Sequence, residues 1–358
     1  MQTFDLALAP SFARTASLSA EERGSDAPLD NDVGIMFRGS ELLWFSQSLL
    51  PALIPRAAWP GVGASTPILL GKQAPPPLVG GASSRVFAVD LAADSNIHLE
   101  GDDSIISAKW VALRSLLARG DAAWLSVAGL GSSMVVWSRA NHFCGACGNA
   151  TAAVTHGTQR QCANEACKRK AYPRTDPVVI MSVVDEQEGK LLLGRGSKFK
   201  PGFFSCLAGF VEPCESLEAA AVREVFEEAG LHLDSSSLRV VQSQPWPIGR
   251  ALSCELMVGL RASTAAPRAS TNPALLTLQA DELAEVRWVT RLECRKALAA
   301  SMNGPLGSMG EGLDWYVPGP YAIAHHLISA FACEGDAELD ACIAGNTQEG
   351  SQRKAPRL

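Results

Sequence analysis

No apolar run in this chain of 358 residues approaches the roughly 20 residues that a membrane-spanning helix requires. The opening Met1-Gln2-Thr3-Phe4-Asp5 lacks the basic start and apolar stretch of a secretory leader, so the expected compartment is intracellular. Positive charge is not in excess either. Against 31 Lys and Arg stand 37 Asp and Glu, a net charge of −6 that excludes a global basic footprint for nucleic acid and leaves room only for a local one. Charged residues make up 19% and hydrophobic residues 47%, too little charge and too much apolar surface for a disordered chain. The length suits two or three domains with cores of their own.

What is present is cysteine, ten in all, but its spacing is not that of a disulfide framework. Cys144 and Cys147 have two residues between them, fourteen residues follow, and Cys162 and Cys167 close with four between them. Two such knuckles predict a tetrahedral four-cysteine zinc site, structural because no coordination position is left open. A redox pair of Cys144 and Cys147 alone would leave Cys162 and Cys167 unexplained. Lys168-Arg169-Lys170 beside the second knuckle is either a local nucleic-acid patch or a short solvated run. Cys206, Cys214, Cys254, Cys294, Cys333 and Cys342 have no ligand spacing and are expected to be reduced.

The second concentration is of acids. On a helix, Glu224, Glu227 and Glu228 stand at i, i+3 and i+4 and share one face. Crowded like charges need a counterion, and Mg²⁺ or Mn²⁺ is the simplest, since both take oxygen ligands and keep waters and phosphates. Ser216 is placed to cap that helix and Gly230 to end it. Arg223 is spaced to reach Glu215, and Gly209, after the strand-like Phe203–Ala208, lets backbone approach a ligand.

Along the chain, residues 1–30 read as a flexible arm and the first core starts near Val33. Strand-like runs at Ile35–Arg38, Glu41–Phe45 and Arg85–Val89 are followed by helical patterns from about Ile106 to Leu117 and from Ala122 to Trp137, the latter weakened by glycines. Beyond the knuckles, Val178–Val184, a turn at Glu186–Gly189 and Leu191–Arg195 predict a hairpin. Strands are expected near Leu238–Gln242, Leu252–Arg261 and Val286–Val289, a polar loop at Ala262–Ala274, and helices near Arg291–Ala300 and Tyr321–Ala332. The alternation predicts an α/β/α sandwich.

Gly209, five residues, Glu215, seven residues, Arg223-Glu224-Val225, one residue, Glu227-Glu228, one residue, Gly230-Leu231 resembles the Nudix box without a departure. With the paired cysteine knuckles, Tyr172-Pro173-Arg174-Thr175-Asp176-Pro177, Leu207-Ala208-Gly209-Phe210-Val211-Glu212, Ser243-Gln244-Pro245-Trp246-Pro247 and Ala322-Ile323-Ala324-His325, the chain resembles the NADH pyrophosphatase family. That resemblance implies a degenerate Nudix-like domain over 31–138, a zinc ribbon over 139–173, a catalytic Nudix domain over 174–335 and a polar tail over 336–358. It implies hydrolysis of NADH, NAD⁺ or NAD-capped RNA at the pyrophosphate, giving AMP and the nicotinamide mononucleotide.

The same resemblance implies a catalytic and metal set of the Ala208 carbonyl, Glu224, Glu227, Glu228 and Glu282, with Glu227 and Glu282 as alternative bases. It implies a substrate set of Tyr172, Ala208, Gly209, Phe210, Gln244, Trp246 and Ala322; rings at Tyr172 and Phe210 also suit core packing. Where the family usually continues Pro-Phe-Pro-x-Ser, this chain reads Pro247-Ile248-Gly249-Arg250-Ala251, and Cys214 stands where glycine is common. Arg250 reaches a phosphate or solvent. An ADP-ribose or nucleoside-diphosphate-sugar pyrophosphatase is the alternative enzyme, and an RNA-binding or decapping factor the alternative of another class. A homodimer is implied, and Pro356-Arg357-Leu358 resembles a Ser-Lys-Leu peroxisomal address, so a cytoplasmic or peroxisomal place is expected.

Overall fold

The computed structural model describes residues 12–14, 18, 20–24, 27–30, 32–45, 51–59, 66–73, 84–92, 108–118, 121–250, 253–265 and 283–334. These fall into two compact units, one chiefly of Thr3–Asp176 with Pro245–Leu256 and the other chiefly of Pro177–Gln244 with Met257–Leu358.

The first unit carries a seven-stranded sheet built from Phe12–Arg14 (β1), Val33–Arg38 (β2), Glu41–Phe45 (β3), Leu53–Pro55 (β4), Ile68–Gln73 (β5), Ser84–Asp90 (β6) and Ala108–Ala112 (β7), together with a short helix, Ala20–Arg23 (α1). Strand order is β1-β5-β6-β2-β3-β7, with β4 also paired to β2, and the β2–β6 pair is parallel. Two expectations are corrected here. Of the stretch expected to be helical from about Ile106 to Leu117, the described part is not an α-helix: Ala108–Ala112 pairs with β3 and Leu113–Leu116 makes a 3-10 turn. Lys109, Trp110 and Val111 gain a full ladder on a neighbouring strand, and that outweighs a weak local helical pattern. Nor are residues 1–30 simply an arm. Phe12–Arg14 adds a strand to β5, and the buried Arg85–Asp32 pair reaches back, Arg85 Nη1 donating to the Arg23 carbonyl at 2.7 Å.

Helix Ala122–Ala140 (α2) forms as expected, capped by Asp121, which accepts from the Trp124 N–H. Gly131 serves packing: a Cβ there would lie 2.8 Å from the Phe37 ring, so the helix rests on β2 at that point only without one. Next come Thr151–Val154 (β8), Gln159–Cys162 (β9) and Lys170–Ala171 (β10), a three-stranded antiparallel ribbon. Its hairpin tip meets β5, the Leu69 N–H donating to the His156 carbonyl at 2.9 Å.

The second unit is built on a six-stranded sheet of Asp176–Asp185 (β11), Lys190–Gly196 (β12), Leu207–Phe210 (β13), Arg239–Trp246 (β14), Glu255–Ser263 (β15) and Leu283–Thr290 (β16). Alternation along β11 and β12 decides the layers. Val179, Met181, Val183 and Leu192 face the core under helix Leu217–Ala229 (α3), packed on Ala220, Ala221 and Val225. Ile180, Val184, Leu191 and Leu193 face the opposite core with helices Arg291–Asn303 (α4) and Ile323–Cys333 (α5). The unit is thus helix, sheet and helices in three layers, the expected sandwich. The expected polar loop 262–274 falls mostly outside the described residues.

Candidate functional site

Strand β13 pairs with β11 in the register Val179↔Gly209 and Ile180↔Ala208, which fixes the backbone of Ala208–Phe210 beside α3. Ser216 caps that helix by accepting from the Ala219 N–H at 3.1 Å, and Gly230, at φ 68, ends it. The requirement for glycine at 209 is steric. A Cβ there would lie 1.8 Å from the Glu224 carboxyl carbon, so the carboxylate rests directly on the strand backbone. Glu224 and Glu228 are buried, 8% and 6% exposed, whereas the Glu227 side chain is 47% exposed.

Arg223 organises these acids. Its Nε and Nη2 donate to the two Glu215 oxygens at 2.8 Å each, and Nη2 also donates to the Phe210 carbonyl at 2.9 Å. Nη1 donates to Glu224 at 2.9 Å and Glu227 at 3.0 Å. The guanidinium therefore ties loop, strand and helix together, and its own pKa is raised by these partners. Glu215 is held down to about 2, first by Arg223 and then by the Glu212 N–H. A carboxyl depressed in the folded state stabilises above its ordinary 4.5, and that contribution disappears as pH falls through about 2. Acid unfolding of Glu215→Gln is expected to lack the part of the wild-type transition in that window; superimposable acid titrations would show that the ion pair contributes nothing.

Cys214, in the loop before Glu215, takes φ 67, the left-handed region that favours glycine. The other expected site residues are distributed as follows. Gln244 is fully buried, its amide donating to the Tyr321 carbonyl at 2.8 Å and accepting from the Ile323 N–H at 2.7 Å. It thereby supplies the cap that Ala322 cannot give to α5. Its side chain is committed to positioning that helix, a role its sequence context does not announce. Tyr172 is exposed and belongs to the other unit, and Trp246 ends β14 just past the point where the chain passes into that unit. Glu282 lies outside the described residues.

Another glycine cradles an acid in the first unit: a Cβ on Gly249 would lie 2.2 Å from the Glu255 carboxyl carbon, and Glu255 accepts from the Arg250 N–H at 2.7 Å. No signal in the sequence pairs these residues, because the constraint arises only when the chain doubles back.

Among the described residues, the four cysteines are the metal-ligating group whose donor atoms all lie within 4.8 Å of one another. Cys144 and Cys167 sulfurs are 3.8 Å apart and those of Cys147 and Cys162 are 3.5 Å apart. Tetrahedral zinc with Zn–S bonds of about 2.3 Å requires sulfur edges of about 3.8 Å, and a disulfide about 2.05 Å, so the donors fit zinc and not a disulfide. After the second cysteine of each knuckle the chain turns left-handed, at Gly148 (φ 72) and Lys168 (φ 50). The Asn149 N–H holds the Cys147 thiol down to about 6, as a thiolate ligand requires, while burial raises Cys162 to about 12 in the absence of charge compensation.

The glutamates fit a harder ion. Two buried carboxylates beside strand carbonyls offer only oxygen donors, and burying them without cationic compensation is costly. Arg223 supplies part of that compensation for Glu224, while Glu227, half exposed, keeps much of its own hydration.

Comparison with known proteins agrees with this construction. The NUDIX domain model matches residues 173–306. The chain is 36% identical over 281 residues to Nudix hydrolase 19, chloroplastic, of Arabidopsis thaliana, covering 68% of this chain and 61% of that one. It is 36% identical over 202 residues to the human NAD-capped RNA hydrolase NUDT12, covering 55% and 39% respectively. It is 30% identical over 277 residues to NAD-capped RNA hydrolase NudC of Pseudomonas syringae pv. tomato, covering 76% and 84%. The chain thus spans about 61% and 39% of the first two relatives' own lengths. The uninterrupted box, the cysteine cluster and coverage of most of a bacterial relative converge: this chain belongs to the Nudix hydrolases, in the NADH pyrophosphatase family.

Proposed function

We propose that this chain hydrolyses the central pyrophosphate of NADH, NAD⁺ and NAD-capped RNA, releasing AMP, or a 5′-phosphorylated RNA, and the nicotinamide mononucleotide. The observation that carries the reading is the Glu224 carboxylate seated on Gly209 beside buried Glu228, on a chain whose relatives are named for NAD-capped RNA hydrolysis.

Glu224, Glu228 and the Ala208 carbonyl hold Mg²⁺ or Mn²⁺, with Glu227 and Glu282 completing the set. A divalent ion held there would screen the pyrophosphate charge and lower the pKa of a water, easing its deprotonation. The chain's own groups do the remainder. Arg223 keeps Glu215, Glu224 and the Phe210 carbonyl in fixed relation, so the ligands need no reordering when substrate arrives. Glu227 or Glu282 accepts the proton of the attacking water. The water oxygen bonds to one phosphorus, the bridging P–O bond breaks, and the bridging oxygen leaves on the other phosphate. Phe210, on the strand beside the box, offers a ring to one end of the substrate, while Gln244 sets the start of α5. The cysteines hold zinc as a structural ion.

The reading extends to a homodimer. No helix among the described residues is long and apolar enough to cross a membrane. The deciding experiment follows products from NADH, NAD⁺ and ADP-ribose with Mg²⁺ or Mn²⁺. AMP with reduced nicotinamide mononucleotide, formed from NADH faster than ADP-ribose is cleaved, is the expected result. Preference for ADP-ribose would replace the reading with the alternative pyrophosphatase.

A further inference from the structure

Strand β12 ends at Gly196, and the chain then passes through Ser197-Lys198-Phe199-Lys200-Pro201-Gly202-Phe203 before returning to the sheet. Ser197–Pro201 are all exposed, and Phe199 is 53% exposed. An aromatic ring left in water on a loop usually indicates mobility, but this loop is fastened. The Phe199 N–H donates to the Gly196 carbonyl at 3.0 Å and the Phe203 N–H to the Lys200 carbonyl at 3.1 Å. On the far side, the Tyr316 N–H donates to the Gly202 carbonyl at 2.8 Å and the Phe204 N–H to the Tyr316 carbonyl at 2.9 Å. Gly202 sits at φ 82, and a Cβ there would be 3.1 Å from the Asp314 carbonyl, so the turn is specific to glycine.

The rings are fastened too. Phe199 meets Phe203 edge to face at 5.0 Å, and Phe203 meets Tyr316 at 5.5 Å. Three aromatics thus brace one another and keep one ring available to solvent, with part of its ordering entropy already spent. Lys198 and Lys200 flank that ring, and neither forms an ion pair among the described residues. The nearby acids Asp314 and Glu285 are taken by Arg287, so the lysine charge remains open. Phe199 is ten residues from Gly209 in the same unit, at most about 36 Å of chain, a span that the nucleotides following a substrate held at the Nudix box can cover.

We propose that this surface binds the RNA body of a capped transcript: Phe199, braced by Phe203 and Tyr316, stacks an unpaired base, and Lys198 and Lys200 meet the phosphates on either side. Stacking on an aromatic side chain is indifferent to base identity, which suits an enzyme that must accept transcripts of any sequence. The inference rests on the diphosphatase reading for the identity of the cap, but not for the binding of RNA.

The test is fluorescence anisotropy of an uncapped, single-stranded RNA oligonucleotide with the full chain, alongside hydrolysis of free NADH. Phe199→Ala is expected to weaken RNA binding about tenfold and Phe199→Trp to restore it, with NADH turnover unchanged in both. In a Lys198→Ala, Lys200→Ala double variant, the dependence of log affinity on log salt is expected to flatten by about 1.4, the contribution of two single-strand phosphates. Unchanged affinity in Phe199→Ala, or no binding by the wild type, overturns the proposal. So does a shift of Phe199→Ala to a smaller sedimenting species with RNA affinity intact, which would assign the surface to a second copy of the chain. If NADH is not hydrolysed while Phe199-dependent RNA binding is present, the diphosphatase reading fails and this one stands.

Discussion

Glu228→Gln is expected to lower turnover of NADH by about three orders of magnitude while leaving the thermal unfolding of the chain nearly unchanged. The size follows from the charge removed. A metal ligand site supplies several kcal/mol of transition-state stabilisation, and each 1.36 kcal/mol is a tenfold change in rate. The selectivity follows from burial. Glu228 lies at 6% exposure on α3, next to Ala229 and one turn after Val225, both fully buried in the core on that face. Glutamine has the same shape, so these packing contacts survive, and exchanging a buried carboxylate for a neutral amide removes a desolvation cost. Activity and stability therefore part company. Calorimetry should show weakened Mg²⁺ or Mn²⁺ uptake in the variant. Wild-type turnover together with unaltered metal uptake would remove Glu228 from the site. Glu227→Gln divides the roles further: its carboxylate is exposed and paired with Arg223, so the substitution should lower turnover with a smaller loss of metal affinity if Glu227 handles the proton.

Much of this was legible because the Nudix unit is encoded locally. The helix of the box announces itself through a capping serine, a terminal glycine and three acids on one face, all within 23 residues. The strands of the second unit alternate or run apolar over enough length to be read singly, and the cysteine knuckles carry their own spacing. What escaped was non-local. Ala108–Ala112 becomes a strand because β3 is there to pair with it, and Phe12–Arg14 because β5 has a free edge. Gln244 stands in a Ser-Gln-Pro-Trp-Pro run that reads as a ligand contact, yet its amide closes the start of a helix that lies 79 residues on in the chain. The ring cluster of Phe199, Phe203 and Tyr316 likewise joins residues over 100 positions apart. Periodicity and spacing register neighbours on one element, and none of these partners share one.

Replacing Cys162 by serine is expected to unfold the ribbon and to abolish zinc content, which should be about one ion per chain in the wild type. The metal supplies on the order of 10–16 kcal/mol of folding free energy in small zinc modules, far more than three short strands can provide otherwise. Cys162 is the buried cysteine on β9, and the Cys162 N–H donates to the Arg169 carbonyl at 2.8 Å, so the ligand and the backbone bond that closes the second knuckle are lost together. The damage should not stop at the ribbon. Arg160, two residues earlier, is buried and donates to the Asn141 carbonyl at 3.1 Å and to the Ser138 hydroxyl at 3.1 Å, bonds that tie β9 to the end of α2. At the other end of the hairpin, the His156 carbonyl accepts from β5. Once the knuckles open, both attachments are exposed to water, and the first unit should melt at lower temperature and less cooperatively. A chelator applied to the wild type should reproduce the shift and expose four thiols to a maleimide reagent. Retained zinc and an unchanged melting curve in Cys162→Ser would instead show that the sulfur cluster stands without an ion.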